Sequence, residues 1–452
     1  MAPHATKSEI EIEGSSTSNT EGSAILHTFL ARYSGISFLR CQWQDYSGVV
    51  RARVVPIEHA ISIAAGKRRL HVPPFAFQIA VTNDIIPEAS PSGNHWLIPD
   101  WTSLYTSQLE LASRSASVMC GVVEDLPTRP EANWNYCPRH ALKTVVKKAE
   151  ELLHVYFLVG CEVEFQIMKL SADGKLGPHS AGLGRYAISG LRDPCFAHVQ
   201  EVVRLLLDAG VGISAFQTEG GRGQFEIALE PQSPIRAVDQ LILVQDTLKS
   251  VFARHGLVAT MAPRPVVSDK QTAGQHTHIS LNPPNNEATF LAGILHRLPE
   301  LCAFSLPYDL SYERIQPCLA GHFVAWGSEN RAVPIRQIKP GHWELRCVDA
   351  TANMYLALAA IISAGTIGCI NEEPLQWPDT SLIANSFSAT DTETLPESIG
   401  AALERLEKSC DSLQDIMESQ VIRHYISAKR FEAPKLRNMS LEATRQMLNE
   451  IF

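Results

Sequence analysis

Glu162-Val163-Glu164 lies inside an otherwise apolar run, VYFLVGCEVEFQIMKL. Side chains alternate along a strand, so both carboxylates face the same way. Two like charges side by side in apolar surroundings are costly unless a cation sits between them. An isolated E-x-E is more commonly a solvated sheet face, and it gains weight only from its company. The run EGGRGQFE sets Glu219 and Glu226 either side of a glycine-rich turn, where they can meet, as they also would in an exposed hairpin. In QHTHISL, His276, His278 and Ser280 share one strand face and could serve a metal or a phosphate, although a lone H-x-H is more often structural. HWELR then puts Glu344 and Arg346 on one face, ahead of a helix expected from about Thr351.

Five carboxylates and one imidazole form a ligand set for hard divalent cations, better suited to Mg²⁺ or Mn²⁺ than to Zn²⁺. Split three and three, these six groups would hold two ions. Arg314, Arg331, Arg336 and Arg346 supply guanidinium groups, which clamp carboxylates and phosphates. Divalent ions beside such clamps are what phosphoryl transfer from ATP requires. The chain has no G-x-x-x-x-G-K-[ST] loop and no kinase signature set, which excludes the two commonest ATP-binding folds.

The elements that must position these groups read as α+β. Residues 1–22, rich in Ser, Thr, Glu and Gly, are expected to form a disordered tail. Residues 23–128 read as a small domain with a helix near 24–33, then FLRCQWQDYSGVVRARVVP with a hairpin turn at Ser47-Gly48. The helix RHALKTVVKKAEELL carries Leu142, Val145, Val146 and Ala149 on one stripe and opens a larger domain, 129–452. There, strands around VYFLVGCEVEFQIMKL, GQFEIALEP, QHTHISLN and HWELRCVD alternate with helices, and the last helices are expected near 403–420 and 441–451.

The 452 residues carry 39 Lys+Arg against 48 Asp+Glu, a net charge of −9 without any basic cluster of the kind nucleic-acid binding draws on. The densest basic stretch, Lys67-Arg68-Arg69, reads as a solvated face. The longest apolar stretch, 354–369, is too short and too closely flanked by polar residues to span a bilayer, so a buried helix is expected and no membrane partner. No secretory leader pattern opens the chain, which makes the cytoplasm the expected location. Ten cysteines without a C-x-x-C pair read as free thiols.

The order and spacing of these pieces resemble the glutamine synthetase superfamily, particularly the type I-like members that include glutamate–amine ligases such as γ-glutamylpolyamine synthetase. The similarity runs from about Phe38 onward, through QWQDYSGVVRARVVP, CEVEFQ, TEGGRGQFEIAL, ATMAPRP, QHTHISLN, SYERIQP, AWGSENRAVPIR and ELRCVDATANMYLALAA. It implies a small β-grasp-like N-terminal domain and a catalytic domain whose curved antiparallel sheet, flanked by helices, forms a funnel. It also implies one metal site at Glu164, Glu219 and Glu226 and another at Glu162, His276 and Glu344, for about two to three Mg²⁺ or Mn²⁺ ions. Arg314 and Arg346 would hold the substrate carboxylate, and Thr272 lies in the loop that meets the amino-acid part. Arg331 would meet both substrate and terminal phosphate, acting with Arg314 in catalysis. His278, Ser280, Arg336 and Lys339 would join Arg331 on the nucleotide side. The resemblance implies homo-oligomeric rings of five or six subunits, often stacked in pairs, with active sites between subunits.

Departures from that pattern bear on the substrate. Where glutamine synthetases carry a glutamate after SY-x-R, this chain reads Ile315-Gln316-Pro317-Cys318-Leu319-Ala320-Gly321. Where they carry an aspartate for the ammonium pocket, it reads Pro73-Pro74-Phe75-Ala76-Phe77-Gln78, with Asp84 the next acid along the chain. Capture and deprotonation of ammonium both need negative charge. The family's Asn-Gly loop appears as Gln271-Thr272-Ala273-Gly274, the usual H-H as Phe216-Gln217-Thr218, and His342 replaces a basic residue before Glu344. The expectation is an ATP-dependent carboxylate–amine ligase that forms an amide, a γ-glutamyl amide if the acid is glutamate, through an acyl phosphate. An organic amine replaces ammonia. Glutamine synthetase proper and a non-catalytic scaffold or sensor are the alternatives.

Overall fold

The computed structural model describes residues 19–107, 114–126, 129–180, 184–189, 193–267, 271–317, 319–381 and 393–452. Helix α1 (Asn19–Arg32) starts inside the stretch read as a tail, and the rest of that expectation, 1–18, lies outside the described residues. A first sheet, against which helix α2 (Ile57–Ala64) packs, is built from β1 (Ile36–Gln44), β2 (Val50–Pro56), β3 (Leu70–Val72), β4 (Asn94–Pro99), β5 (Tyr105–Ser107), β6 (Arg114–Leu126) and β7 (Arg129–Asn133). Its order is β2-β1-β6-β4-β3, with β5 and β7 also paired to β6, so the sheet runs past residue 128.

β1 and β2 form the expected hairpin around Ser47-Gly48, and its turn is buried. Leu39, Cys41 and Trp43 of β1 are buried, and so are Gln42 and Gln44 on the opposite face. Gln42 Nε2 donates to Asp246 at 2.7 Å, and Asn353 Nδ2 donates to the Asp45 carbonyl at 2.9 Å. Gly48 takes φ +84°, and a Cβ there would lie 2.1 Å from the Thr351 carbonyl oxygen. A left-handed alanine combined with a backbone clash is expected to cost about 2–5 kcal/mol. Gly48→Ala should therefore lower the urea midpoint markedly.

The second part begins with α3 (Pro138–Leu153), whose Leu142, Val145 and Ala149 are buried. Its sheet comprises β8 (Tyr156–Leu170), β9 (Leu176–Pro178), β10 (Ile213–Thr218), β11 (Gln224–Leu229), β12 (Val258–Thr260), β13 (Thr277–Asn282), β14 (Trp326–Ser328), β15 (Ile335–Lys339) and β16 (His342–Leu345). The order is β10-β11-β8-β13-β16-β15-β14, with β9 and β12 also on β8, and the sheet curls into a half-barrel. One pair departs from the antiparallel expectation. β14 and β15 run parallel, because the loop carrying Arg331 returns to the start of β14 before the chain re-enters the sheet.

Helices α4 (Pro194–Asp208), α5 (Pro234–Arg254), α6 (Glu287–His296), α7 (Leu298–Ser305) and α8 (Met354–Ile370) cover the convex face with α3. Cys161, Val163, Phe165 and Ile167 of β8 point into that helical layer, each at most 3% exposed. Alternation therefore turns Glu162 and Glu164 to the concave face. α8 is buried from Met354 to Gly368, and among the described residues no helix is long and apolar enough to cross a membrane. The chain closes with α9 (Ile399–Met417), α10 (Val421–Arg437) and α11 (Leu441–Ile451). α10 escaped the sequence reading: it holds Pro434 internally, and its buried face includes the charged pair Lys429–Glu432 at 2.7 Å. Nine described cysteines are free thiols, and Cys318 lies outside the described residues.

Candidate active site

Strand register assembles the acids from distant parts of the chain. Glu164 of β8 stands opposite Glu226 of β11, which stands opposite Gln217 of β10. On the other side of β8, the Glu162 backbone N–H donates to the His276 carbonyl at 2.9 Å. β13 and β16 then pair His278 with Glu344, and Glu344 stands opposite Arg336 of β15. Glu219 enters from the turn after β10, where the Gly220 N–H donates to its carboxylate at 3.2 Å.

These strands line a cavity of about 430 Å³. Glu162, Glu164, Glu219, Glu226, His276 and Glu344 all face it, with Thr272, Arg314, Arg331, Arg336 and Arg346. His276 is the hub: its Nδ1 lies 3.0 Å from Glu162, 3.4 Å from Glu344 and 3.7 Å from Glu164. Glu344, 1% exposed, accepts from Arg336 at 2.9 Å and from Arg346. Arg314 is also buried, yet it donates to the carbonyls of Val348 (2.7 Å) and Arg346 (3.2 Å) rather than to a carboxylate. Its approach depends on Gly274, where a Cβ would sit 2.5 Å from the Arg314 guanidinium. Arg331 is exposed at the rim.

Burial and the surrounding charges split the acids. Burial opposes ionisation of Glu162, but hydrogen bonds from His276 and His278 outweigh it and hold its carboxyl well below the usual range. Glu344 is likewise lowered, by His276 and Arg346 against the cost of burial. Burial, reinforced by Glu162, Glu164, Glu219 and Glu344, pushes Glu226 up to about 9. Glu219 is raised by burial and by Glu164. A carboxyl driven that high by its neighbours marks a cluster that fits a cation, since a divalent ion among these oxygens reverses the sign of the local field. Glu162, His276 and Glu344 alone place three donor atoms within 4.8 Å of one another. Because the proton on Glu226 must leave before that oxygen can ligate, Mg²⁺ or Mn²⁺ binding is expected to release about one proton near neutral pH. Affinity should then rise with pH up to about 9. Calorimetry in buffers of different ionisation enthalpy reads that proton directly.

Three residues expected on the nucleotide side do not line this cavity. His278 lies just behind it, with Nε2 3.3 Å from Glu162 and Nδ1 3.1 Å from His342. Ser280 and Lys339 each pair with His342, farther along the sheet than the row holding Glu344. His342 itself is lowered to about 4, by burial first and then by His278 and Lys339, so it adds no charge near neutral pH. Of the segment after Arg314, Leu319 lines the cavity, whereas Ala320 is fully buried and does not. Asp84 does not line it: its carboxylate pairs with Lys435 at 3.1 Å. Tyr186 and Gln271 complete the wall. No spacing rule pointed to Tyr186, which sits in a loop without strand or helix periodicity.

A curled sheet that gathers five carboxylates, an imidazole and four guanidiniums in one cleft defines the class of site that holds divalent cations beside anionic substrates. Residues 135–447 match the glutamine synthetase catalytic domain, and the chain belongs to that family. Its members use ATP and divalent metal ions. Protein fluG of Emericella nidulans is 31% identical over 441 residues, 95% of this chain, and the chain spans only half the length of that relative. The γ-glutamylpolyamine synthetase GlnA3 of Streptomyces coelicolor is 29% identical, covering 75% of this chain and 77% of its own. A glutamate–isopropylamine ligase from Pseudomonas is 28% identical, with 74% and 77% covered. Among solved structures, ligand-free GmaS superposes with a TM-score of 0.78 at 25% identity, covering 92% of this chain and 97% of that one.

Proposed function

We propose that this protein is an ATP-dependent carboxylate–amine ligase whose acceptor is an organic amine and whose acid is glutamate. The observation that carries this reading is the composition of the cavity wall. Every carboxylate lining it, among the described residues, belongs to the cluster of five, and the remaining lining residues include Leu319, Tyr186, Gln217 and Gln271. Such a wall favours the carbon body of an amine over a bare cation. Two relatives, named for polyamine and isopropylamine, support the same direction.

In this reading Glu164, Glu219 and Glu226 hold one divalent ion and Glu162, His276 and Glu344 another, supplying charge neutralisation on the phosphates of ATP. Arg314 and Arg346 hold the α-carboxylate of the acid, since Arg314 keeps its charge uncompensated by a direct carboxylate partner. Arg331, free to swing at the rim, meets the γ-phosphoryl group, and Arg336 with Lys339, His278 and Ser280 serves the nucleotide end. The side-chain carboxylate oxygen attacks the γ-phosphorus and ADP leaves. The amine nitrogen then attacks the acyl carbon, loses a proton, and phosphate departs with the C–O bond electrons. Dividing the reaction this way replaces one high barrier with two lower ones. A neighbouring subunit of a ring would complete the mouth.

The test is phosphate release from ATP with Mg²⁺ or Mn²⁺, glutamate, and amines from ammonium through small alkylamines and aromatic amines to polyamines, with mass detection of amides. Turnover with one amine class and not with ammonium is expected. Faster turnover with ammonium, yielding glutamine, would overturn the proposal.

A further inference from the structure

We propose that His198, Glu201 and His255 form a second, nitrogen-rich metal site, which takes a divalent transition ion such as Zn²⁺ and ties α4 to α5. His198 and Glu201 are three residues apart on α4 and so share a face, while His255 caps the C-terminus of α5. Their ligand atoms all lie within 4.8 Å of one another. His255 Nε2 is 3.0 Å from Glu201 Oε2. The other oxygen of that carboxylate is taken by Arg254 at 2.6 Å, which leaves Oε2 aimed at the imidazoles, as outer partners commonly orient a ligating carboxylate.

The two imidazole rings stack at 3.7 Å with 24° between their planes, and His198 meets Phe252 edge-on at 5.9 Å. Two imidazoles and one carboxylate suit zinc, nickel or copper, with water completing the shell, whereas Mg²⁺ prefers the oxygen-rich cavity. Glu201 and His255 are about a third exposed, so an ion can reach them. Ligation requires the rings to turn out of their stack so that their lone pairs converge, and His255 at the open end of α5 has room for it. The positive charge of Arg254 limits the affinity without occupying the ligand atoms. The proposal is independent of the ligase reading.

The experiment uses the metal-stripped 452-residue chain in excess Mg²⁺, which fills the carboxylate cavity. Zn²⁺ is titrated against a colorimetric chelator, and thermal midpoints are recorded with and without Zn²⁺. The wild type is expected to bind one Zn²⁺ more than His255→Ala or His198→Gln, and only the wild type should gain thermal stability from Zn²⁺. Mg²⁺-supported phosphate release should be the same in all three. Equal zinc stoichiometry in wild type and both variants would overturn the proposal and leave the cluster as a stacking and ion-pair contact. Should one variant be unstable without metal, the stoichiometry of the other decides.

Discussion

Replacing Glu344 by Gln is expected to lower phosphate release from ATP by on the order of 10³-fold, with amide formation falling in step. The substitution keeps the shape of a side chain that is 1% exposed and removes only its charge. That charge faces His276 at 3.4 Å and accepts from both Arg336 and Arg346, so it stands between the proposed metal ligands and the guanidinium side of the cavity. Two consequences separate catalysis from folding. Metal affinity should fall with activity, because one ligand of the Glu162–His276–Glu344 set becomes neutral. Glu344→Ala should in addition destabilise the protein by about 3–5 kcal/mol, since it leaves the buried Arg346 guanidinium without its carboxylate partner, while Arg336 keeps Glu329. Unchanged turnover in a folded Glu344→Gln protein would remove this residue from the metal site.

Arg139→Ala is expected to cost about 3–5 kcal/mol without any contact to the cavity. Arg139, at the start of α3, forks onto Asp239 of α5 at 3.1 and 2.8 Å and reaches Asp100 beside β4 at 2.8 Å. Tyr355 of α8 donates to the same Asp239 at 2.5 Å. One guanidinium thus joins the first sheet, two helices behind the second sheet, and the central buried helix. Removing it strands a carboxylate that is 5% exposed, whereas removing both charges does not. Arg139→Met combined with Asp239→Leu should therefore recover part of the loss. A double-mutant cycle on urea midpoints measures the coupling, and simple additivity would show that the pair is not energetically linked.

Much of the site was legible before any coordinates because its signals are local. Glu162 and Glu164 share a face by alternation alone, and the apolar residues alternating with them, Cys161, Val163 and Phe165, announce the buried side of β8. The same rule gave Glu344 with Arg346. The glycine-rich run between Glu219 and Glu226 marked a turn, and the turn is where the structure has it. The assignment of the six candidate groups to two particular sets rests on family resemblance, not on spacing. Local rules failed for α10, where an internal proline and a buried lysine–glutamate pair disguise a helix, whereas the hairpin turn at Ser47-Gly48 is where they put it and only its burial under Tyr308, Asn353 and Glu432 escaped them.

The amino-acid sequence by itself determined which side chains leave each strand on which face, the available donor chemistry and the missing acid after Arg314, because these depend on neighbours a few residues apart. Only the tertiary structure decided that Glu226, Glu164, His276 and Glu344 converge, since their meeting rests on strand pairings among β11, β8, β13 and β16. It also decided that Leu319 faces the cleft while Ala320 does not, and that Ser280 and Lys339 lie farther along the sheet. Register between strands is set by packing over the whole sheet, and a shift of one residue would turn every one of these groups to the opposite face.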